Sequence, residues 1–311
     1  MNLPRPLPAL LLALLISRDF AQTPAPPQTP TSPTPTLQVT TKLVAVSAIV
    51  RDKTGQPVAN LTRGDLLLKE DGKPQTIRYF SQGSTLPLTL ALMVDTSGSQ
   101  RAYIRDEIAA GKAFFPAMLT RPDDRAVLVQ FDSTIVQLAR LTASVPTLEH
   151  ALAYLTQSHN DLRAYSTGGG TLLYDAIVSV SKLELGPQLG RRAMVILTDG
   201  GDNGSKFSQK AAIEAAQRAG AMIYSVYYSD GGGDLDSLTK MSNETGGRAF
   251  TVTPQMPLAK IFAAIANDMR LEYEIGYVPP SSKPGKYHKI ALAAVNKSFT
   301  VQAREGYFTP K

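Results

Sequence analysis

Apolar residues along this chain fall into blocks of different spacing. From Leu37 onward they follow the β-branched alternation of half-buried strands, at Leu43, Val44, Val46, Ile49 and Val50. A turn at Asp52-Lys53-Thr54-Gly55, the run Leu66-Leu67-Leu68, a second turn at Asp71-Gly72 and the stretch Ile77-Arg78-Tyr79-Phe80 extend this to three or four short strands. The alternation then gives way to an apolar run from Leu86 to Val94 that ends at Asp95. Such a run predicts a strand covered on both faces in a parallel sheet. Helical spacing follows at Ile104, Ile108, Ala109, Phe114 and Phe115, then a strand from Ala126 to Phe131 and an edge strand from Ile135 to Leu141. A helix after Pro146 carries Leu148, Ala151, Leu152 and Leu155, and Gly168-Gly169-Gly170-Thr171 opens another through Leu172, Ala176, Ile177 and Val180. A second continuous apolar strand, Ala193 to Leu197, closes at Thr198-Asp199-Gly200-Gly201. Helix Gln209 to Ala219, strand Met222 to Tyr228, helix Leu235 to Met241, strand Ala249 to Val252 and helix Leu258 to Met269 complete the series.

This alternation of strand and helix predicts an α/β fold, a doubly wound and mostly parallel sheet. From Tyr273 the chain returns to strand character at Ile275 to Val278, Lys289 to Ala293 and Phe299 to Ala303. Each β-rich flank is near the lower size limit for folding alone, so the two are expected to pack together as one small β module beside the α/β domain. The expected division is a leader at 1–21, a linker at 22–36, a β-rich segment at 37–84, the α/β domain at 85–270 and a second β-rich segment at 271–311.

The leader rests on Arg5 ahead of an apolar stretch, Leu7 to Ile16, too short to span a bilayer as a helix. Ala21 suits the last position before a cut, Asp19 does not suit the position two before it, and an uncleaved anchor is the alternative. The linker carries Pro24, Pro26, Pro27, Pro30, Pro33 and Pro35, a semi-rigid tether. No later segment is apolar for long enough to cross a membrane. Export to the periplasm or the medium follows as the expectation, with the rest of the chain soluble there.

Composition narrows the chemistry. With no cysteine, disulfides, thiolate metal sites and a cysteine nucleophile are excluded. A formal charge of +6 over 311 residues, without a dense run of lysine and arginine, argues against a nucleic-acid partner.

In a doubly wound sheet, ligands sit beyond the carboxyl ends of the strands where the winding direction reverses. With strand order 3-2-1-4-5-6, the strands ending at Asp95 and Asp199 lie side by side there, and two carboxylates face one crevice. In an extended loop Asp95, Ser97 and Ser99 point the same way, and Thr171, lifted by three glycines, adds a third hydroxyl. Hard oxygen donors without nitrogen or sulfur suit magnesium, manganese or calcium and disfavour zinc or copper. Magnesium keeps several waters, which leaves room for an acidic group from elsewhere.

These residues resemble a von Willebrand factor type A (VWFA) domain over roughly Leu86 to Met269. Its metal-ion-dependent adhesion site (MIDAS) would here be Asp95-Thr96-Ser97-Gly98-Ser99, Thr171 and Asp199. Gly170-Thr171-Leu172-Leu173-Tyr174-Asp175-Ala176 is also similar to the family. The resemblance implies a Rossmann-like sheet, direct metal ligation by Ser97, Ser99 and Thr171, ligation by Asp95 and Asp199 directly or through water, and a protein ligand whose carboxylate completes the shell. Glu70-Asp71-Gly72-Lys73-Pro74 and Arg304-Glu305-Gly306-Tyr307 resemble a bacterial exported subfamily best known from Acidobacteria.

Blander readings stand beside this one. Asp95, Ser97 or Ser99 could simply cap the next helix. Asp199 to Gly204 could be a strand-to-helix turn, and it lacks the spacing and terminal glutamate of an EF-hand. Asp175 and Asp202 are read as capping or surface groups, Arg191 and Arg192 as a solvated turn, and His150, His159 and His288 as surface residues. Tyr273, Tyr277 and Tyr287 are read as β packing rather than as a ligand-contacting patch. The rival enzyme is an aspartic-protease-like hydrolase using Asp95, but the required second Asp-Thr-Ser-Gly loop is missing. No triad context surrounds any histidine, and Ser97 stands where a two-aspartate phosphatase needs an acid. A binding protein without catalysis is expected, or else a structural envelope domain whose metal site is never engaged.

Overall fold

The computed structural model describes residues 43–83, 86–155, 170–228, 232–280 and 283–310. The expected leader and linker, His159, Gly168 and Gly169 lie outside the described residues. The central sheet has six strands: β5 (Leu88–Asp95), β6 (Arg125–Phe131), β7 (Ile135–Thr142), β8 (Arg191–Thr198), β9 (Ala221–Tyr227) and β10 (Ala249–Thr251). Their order is β10-β9-β8-β5-β6-β7. All neighbours are parallel except β6 and β7, which pair antiparallel at the edge. The first and fourth major strands, β5 and β8, are adjacent, in register from Leu88 opposite Arg191 to Val94 opposite Leu197.

Every residue of β5 is buried, because helices cover both faces of the sheet. One face packs on α1 (Ile104–Met118), α2 (Val145–Leu152) and α6 (Leu258–Arg270), through Leu92, Val195, Phe114, Leu148 and Phe262. The other packs on α3 (Leu173–Val180), α4 (Gln209–Ala219) and α5 (Leu235–Thr245), through Met93, Ile196, Ile177, Ala216 and Leu238. Alternate residues of one strand thus supply two separate cores. Ser208 and Asp234 cap α4 and α5 with their side chains, while Gly220 and Gly246 end them in the left-handed region that glycine enters without a side-chain clash.

The flanks form two antiparallel four-stranded sheets. The first has the order β13 (Thr300–Ala303), β1 (Val44–Arg51), β11 (Tyr273–Tyr277), β4 (Tyr79–Gln82), and the second the order β14 (Gly306–Phe308), β12 (Tyr287–Ala294), β2 (Leu66–Glu70), β3 (Lys73–Gln75). Each sheet interleaves strands from both ends of the chain, and Val46, Leu68, Tyr277, Ile290 and Tyr307 share one core. Tyr273 and Tyr277 are fully buried, whereas Tyr287 stays exposed. Arg51 of β1 forms a buried ion pair with Asp268 of α6, tying the first flanking sheet to the α/β layer. Among the described residues no helix is long and apolar enough to cross a membrane.

Candidate functional site

Asp95 ends β5 and is completely buried, with both oxygens held from within the chain. Its Oδ1 accepts from the Ser97 amide at 2.9 Å and its Oδ2 from the Thr198 hydroxyl, one strand away, at 2.6 Å. Ser97 then takes an extended backbone, and a single 3-10 turn over Gly98–Gln100 follows. This turn brings the two serine hydroxyls together, with Ser97 Oγ 3.2 Å from Ser99 Oγ. Neither serine makes a side-chain cap: α1 begins later, at Ile104, after Tyr103, so the capping alternative does not describe this loop.

Asp199 follows β8 directly. Its Oδ1 accepts from the Gly201 amide at 2.9 Å, and its Oδ2 has no hydrogen-bond donor among the described residues. The backbone here is pinned from behind: the Asp234 amide donates to Asp199 O at 2.8 Å. A Cβ on Gly233 would stand 2.2 Å from that carbonyl, so only glycine allows the approach.

Thr171 reaches the same end of the sheet by borrowed contacts. Its amide donates to Asn203 Oδ1 at 2.6 Å, and the Asn203 amide donates back to Thr171 O at 3.3 Å. The Leu172 amide donates to Asp132 O, beyond β6, at 2.8 Å. Loops after β5, β6 and β8 and the N-terminus of α3 therefore meet at the carboxyl edge.

Electrostatically the site is short of positive charge. Burial pushes the Asp95 carboxyl up to about 6; hydrogen bonds from Thr198 and Ser97 oppose this, and the charge of Asp199 adds to it. No cationic group is among those acting on it. Behind the loop, Gln100 and Glu107 are buried, and burial, with Asp95 and Asp106 adding, holds Glu107 well above the usual carboxylate range.

Sequence reasoning passed over Thr198 and Asn203, whose side chains position Asp95 and Thr171. A threonine before an aspartate at a strand end, and an asparagine in a Gly-rich turn, give no signal until the partner strand is known. Asp202 Oδ1 accepts from the Tyr174 amide in the first turn of α3 at 3.2 Å, and Asp175 Oδ1 accepts from the Lys206 and Phe207 amides at 2.9 Å each, holding the loop ahead of α4. Two readings are corrected. His288 is buried rather than at the surface, lying 3.3 Å from Glu70 and 2.9 Å from Asp71, while Glu70 also accepts from Tyr277 and Tyr307. Sequence separation of more than 200 residues hid this cluster. Arg191 and Arg192 are not a solvated turn but the half-buried first residues of β8.

The model of the von Willebrand factor type A domain matches residues 89–264. No curated protein matches the chain. Among solved structures, an aerotolerance-related membrane protein from Bacteroides fragilis is similar at 14% identity, over 58% of this chain and 98% of that one, with a TM-score of 0.45. A von Willebrand factor type A protein from Catenulispora acidiphila is similar at 12% identity, over 88% and 75%, with a TM-score of 0.47. The manganese-loaded TRAP protein of Plasmodium vivax is similar at 17% identity, over 73% and 96%, with a TM-score of 0.44.

Proposed function

Because this chain belongs to the von Willebrand factor type A domain family, we propose that it binds a protein ligand through a divalent cation held by Asp95, Ser97, Ser99, Thr171 and Asp199. The observation that carries this reading is the juxtaposed hydroxyl pair of Ser97 and Ser99, 3.2 Å apart, on the loop that begins at a buried carboxylate. Asp95 feels Asp199 as a repelling charge, and no cationic group is among those acting on Asp95. An ion bound by hard oxygen donors suits that donor set. Magnesium is the preferred ion, with manganese or calcium as alternatives.

The chain's own part is positioning. Ser97 and Ser99 present hydroxyls, Thr198 and the Ser97 amide orient Asp95, and Asn203 orients Thr171. When bound, the ion would supply a Lewis-acidic position for an acidic side chain of the partner. The partner is a protein rather than a nucleic acid, and the action is coordination without turnover. Residues 85–270 form the binding domain on this reading, the flanks support it, and the leader directs the chain to the periplasm or the medium.

Magnesium should raise the melting temperature of the full chain, and Asp95→Ala or Asp199→Ala should abolish that rise. Equal stabilisation of both variants and the parent would remove the metal assignment. A hydrolase would instead show peptide turnover that Asp95→Asn eliminates. An unengaged structural domain would keep the magnesium response yet capture the same envelope proteins in magnesium and in chelator.

A further inference from the structure

On the far side of the molecule from the carboxyl edge, where β8 begins, a cleft of about 430 Å³ opens between the central sheet and the flanking strands. Its walls carry four arginines, Arg191, Arg192, Arg218 and Arg304, against one carboxylate among the described lining residues, Glu274. Two of the arginines are spoken for. Arg218 pairs with Glu214 at 2.7 Å, and Arg191 donates to the Leu86 and Met269 carbonyls and stands 4.0 Å from Glu272.

Among the described residues neither Arg192 nor Arg304 has a carboxylate partner, although the Tyr307 ring lies 5.6 Å from the Arg304 guanidinium. The guanidinium of Arg192 makes one hydrogen bond among the described residues, from Nε to Gly190 O at 3.2 Å. Arg304 donates from Nη2 to Ala45 O, while its Nε is buried with no hydrogen-bond partner among the described residues. Burial holds both below the usual guanidinium range, Arg304 at about 10, with the charge of Arg192 adding to the effect on Arg304. Two desolvated, mutually repelling cations cost stability unless an anion completes them. A planar guanidinium matches the paired oxygens of a carboxylate or phosphate. Leu43 and Leu86, both large and exposed, also line the cleft and offer apolar cover.

We propose that this cleft binds an oxyanion-headed molecule with an apolar body, its head between Arg192 and Arg304 and its hydrocarbon along Leu43 and Leu86. The chain's own preceding segment does not supply the head, since residues 20–42 contain neither aspartate nor glutamate. The site is separate from the cation site and stands whether or not that site binds metal.

Calorimetric titration of the full chain with octyl phosphate tests it, with inorganic phosphate and octyl glucoside as partial probes. Saturable one-to-one binding is expected, about tenfold or more tighter than inorganic phosphate and absent for octyl glucoside. Arg192→Gln and Arg304→Gln should each weaken it about tenfold or more. Arg192 is the safer variant because its side chain makes a single backbone contact, and an unchanged circular dichroism spectrum certifies the fold. Vesicles separate the two sources of such a head. Association with phosphatidylglycerol but not phosphatidylcholine, lost in the variants, assigns a lipid headgroup; octyl phosphate binding without vesicle association assigns a free small molecule. Absence of saturable binding to either probe, or equal binding by folded Arg192→Gln, overturns the proposal.

Discussion

Thr198 shows how much a single hydroxyl can set at this site. It donates to Asp95 Oδ2 at 2.6 Å and so opposes the burial that still leaves this carboxyl at about 6. Thr198→Val keeps the shape and removes the donor. The Asp95 proton is then held more tightly, so more of the site is protonated at a given pH, and a protonated carboxyl is a poor metal ligand. Loss of a group that orients a ligand costs about tenfold or more in metal affinity. The variant should therefore show a weaker magnesium-dependent rise in melting temperature, with the deficit larger at pH 6 than at pH 8. Identical responses at both values would mean that Thr198 serves the sheet and not the site.

Between elements, the decisive contacts cross from the loop after β8 to the start of α3. Asn203 holds both the amide and the carbonyl of Thr171, so this threonine is placed by a loop about thirty residues later in the chain. Asn203→Ala should cost about 1 kcal/mol of stability, because the amide of the buried Thr171 loses its acceptor. It should also weaken the magnesium response several-fold; a stability loss with a full magnesium response would show that Thr171 needs no such support. The central elements were legible because each has one dominant period: β5 and β8 read as unbroken apolar runs, and α4 shows its helical face from Gln209 to Ala219. The adjacency of β5 and β8 followed from the winding rule. The flanking sheets were harder. β3 and β14 have three residues each, too few to show alternation, and nothing local to β1 announces that its neighbours are β11 and β13. Of the proposed cation-site residues, Asp95 and Asp199 sit at strand ends that the pattern marks, while Thr198 and Asn203 are isolated polar residues whose partners only the tertiary fold reveals.

Across the whole molecule, the junction between the α/β layer and the first flanking sheet is where pH should act. Glu272 lies between α6 and β11 and is fully buried. Burial pushes its carboxyl from 4.5 up to about 7, opposed by the Ser47 hydroxyl of β1 and by Arg191 of β8, with Glu274 adding to the rise. A carboxyl raised on folding binds its proton more tightly in the native state than in the unfolded one. Its contribution to stability is therefore fully present below pH 4.5 and is lost as pH rises through about 7. A displacement of that size is worth on the order of 3 kcal/mol at its limit. Glu272→Gln keeps the volume and removes the titration, and Arg191 retains its bonds to the Leu86 and Met269 carbonyls. Measured in chelator, so that the proposed cation site does not contribute, the variant should melt several degrees above the parent at pH 8.5, a difference that shrinks steadily towards pH 5. A gap independent of pH would place the titrating group elsewhere. A variant uniformly less stable than the parent would mean that Glu272 holds the flanking sheet as an ion, through Arg191, rather than as a neutral acid.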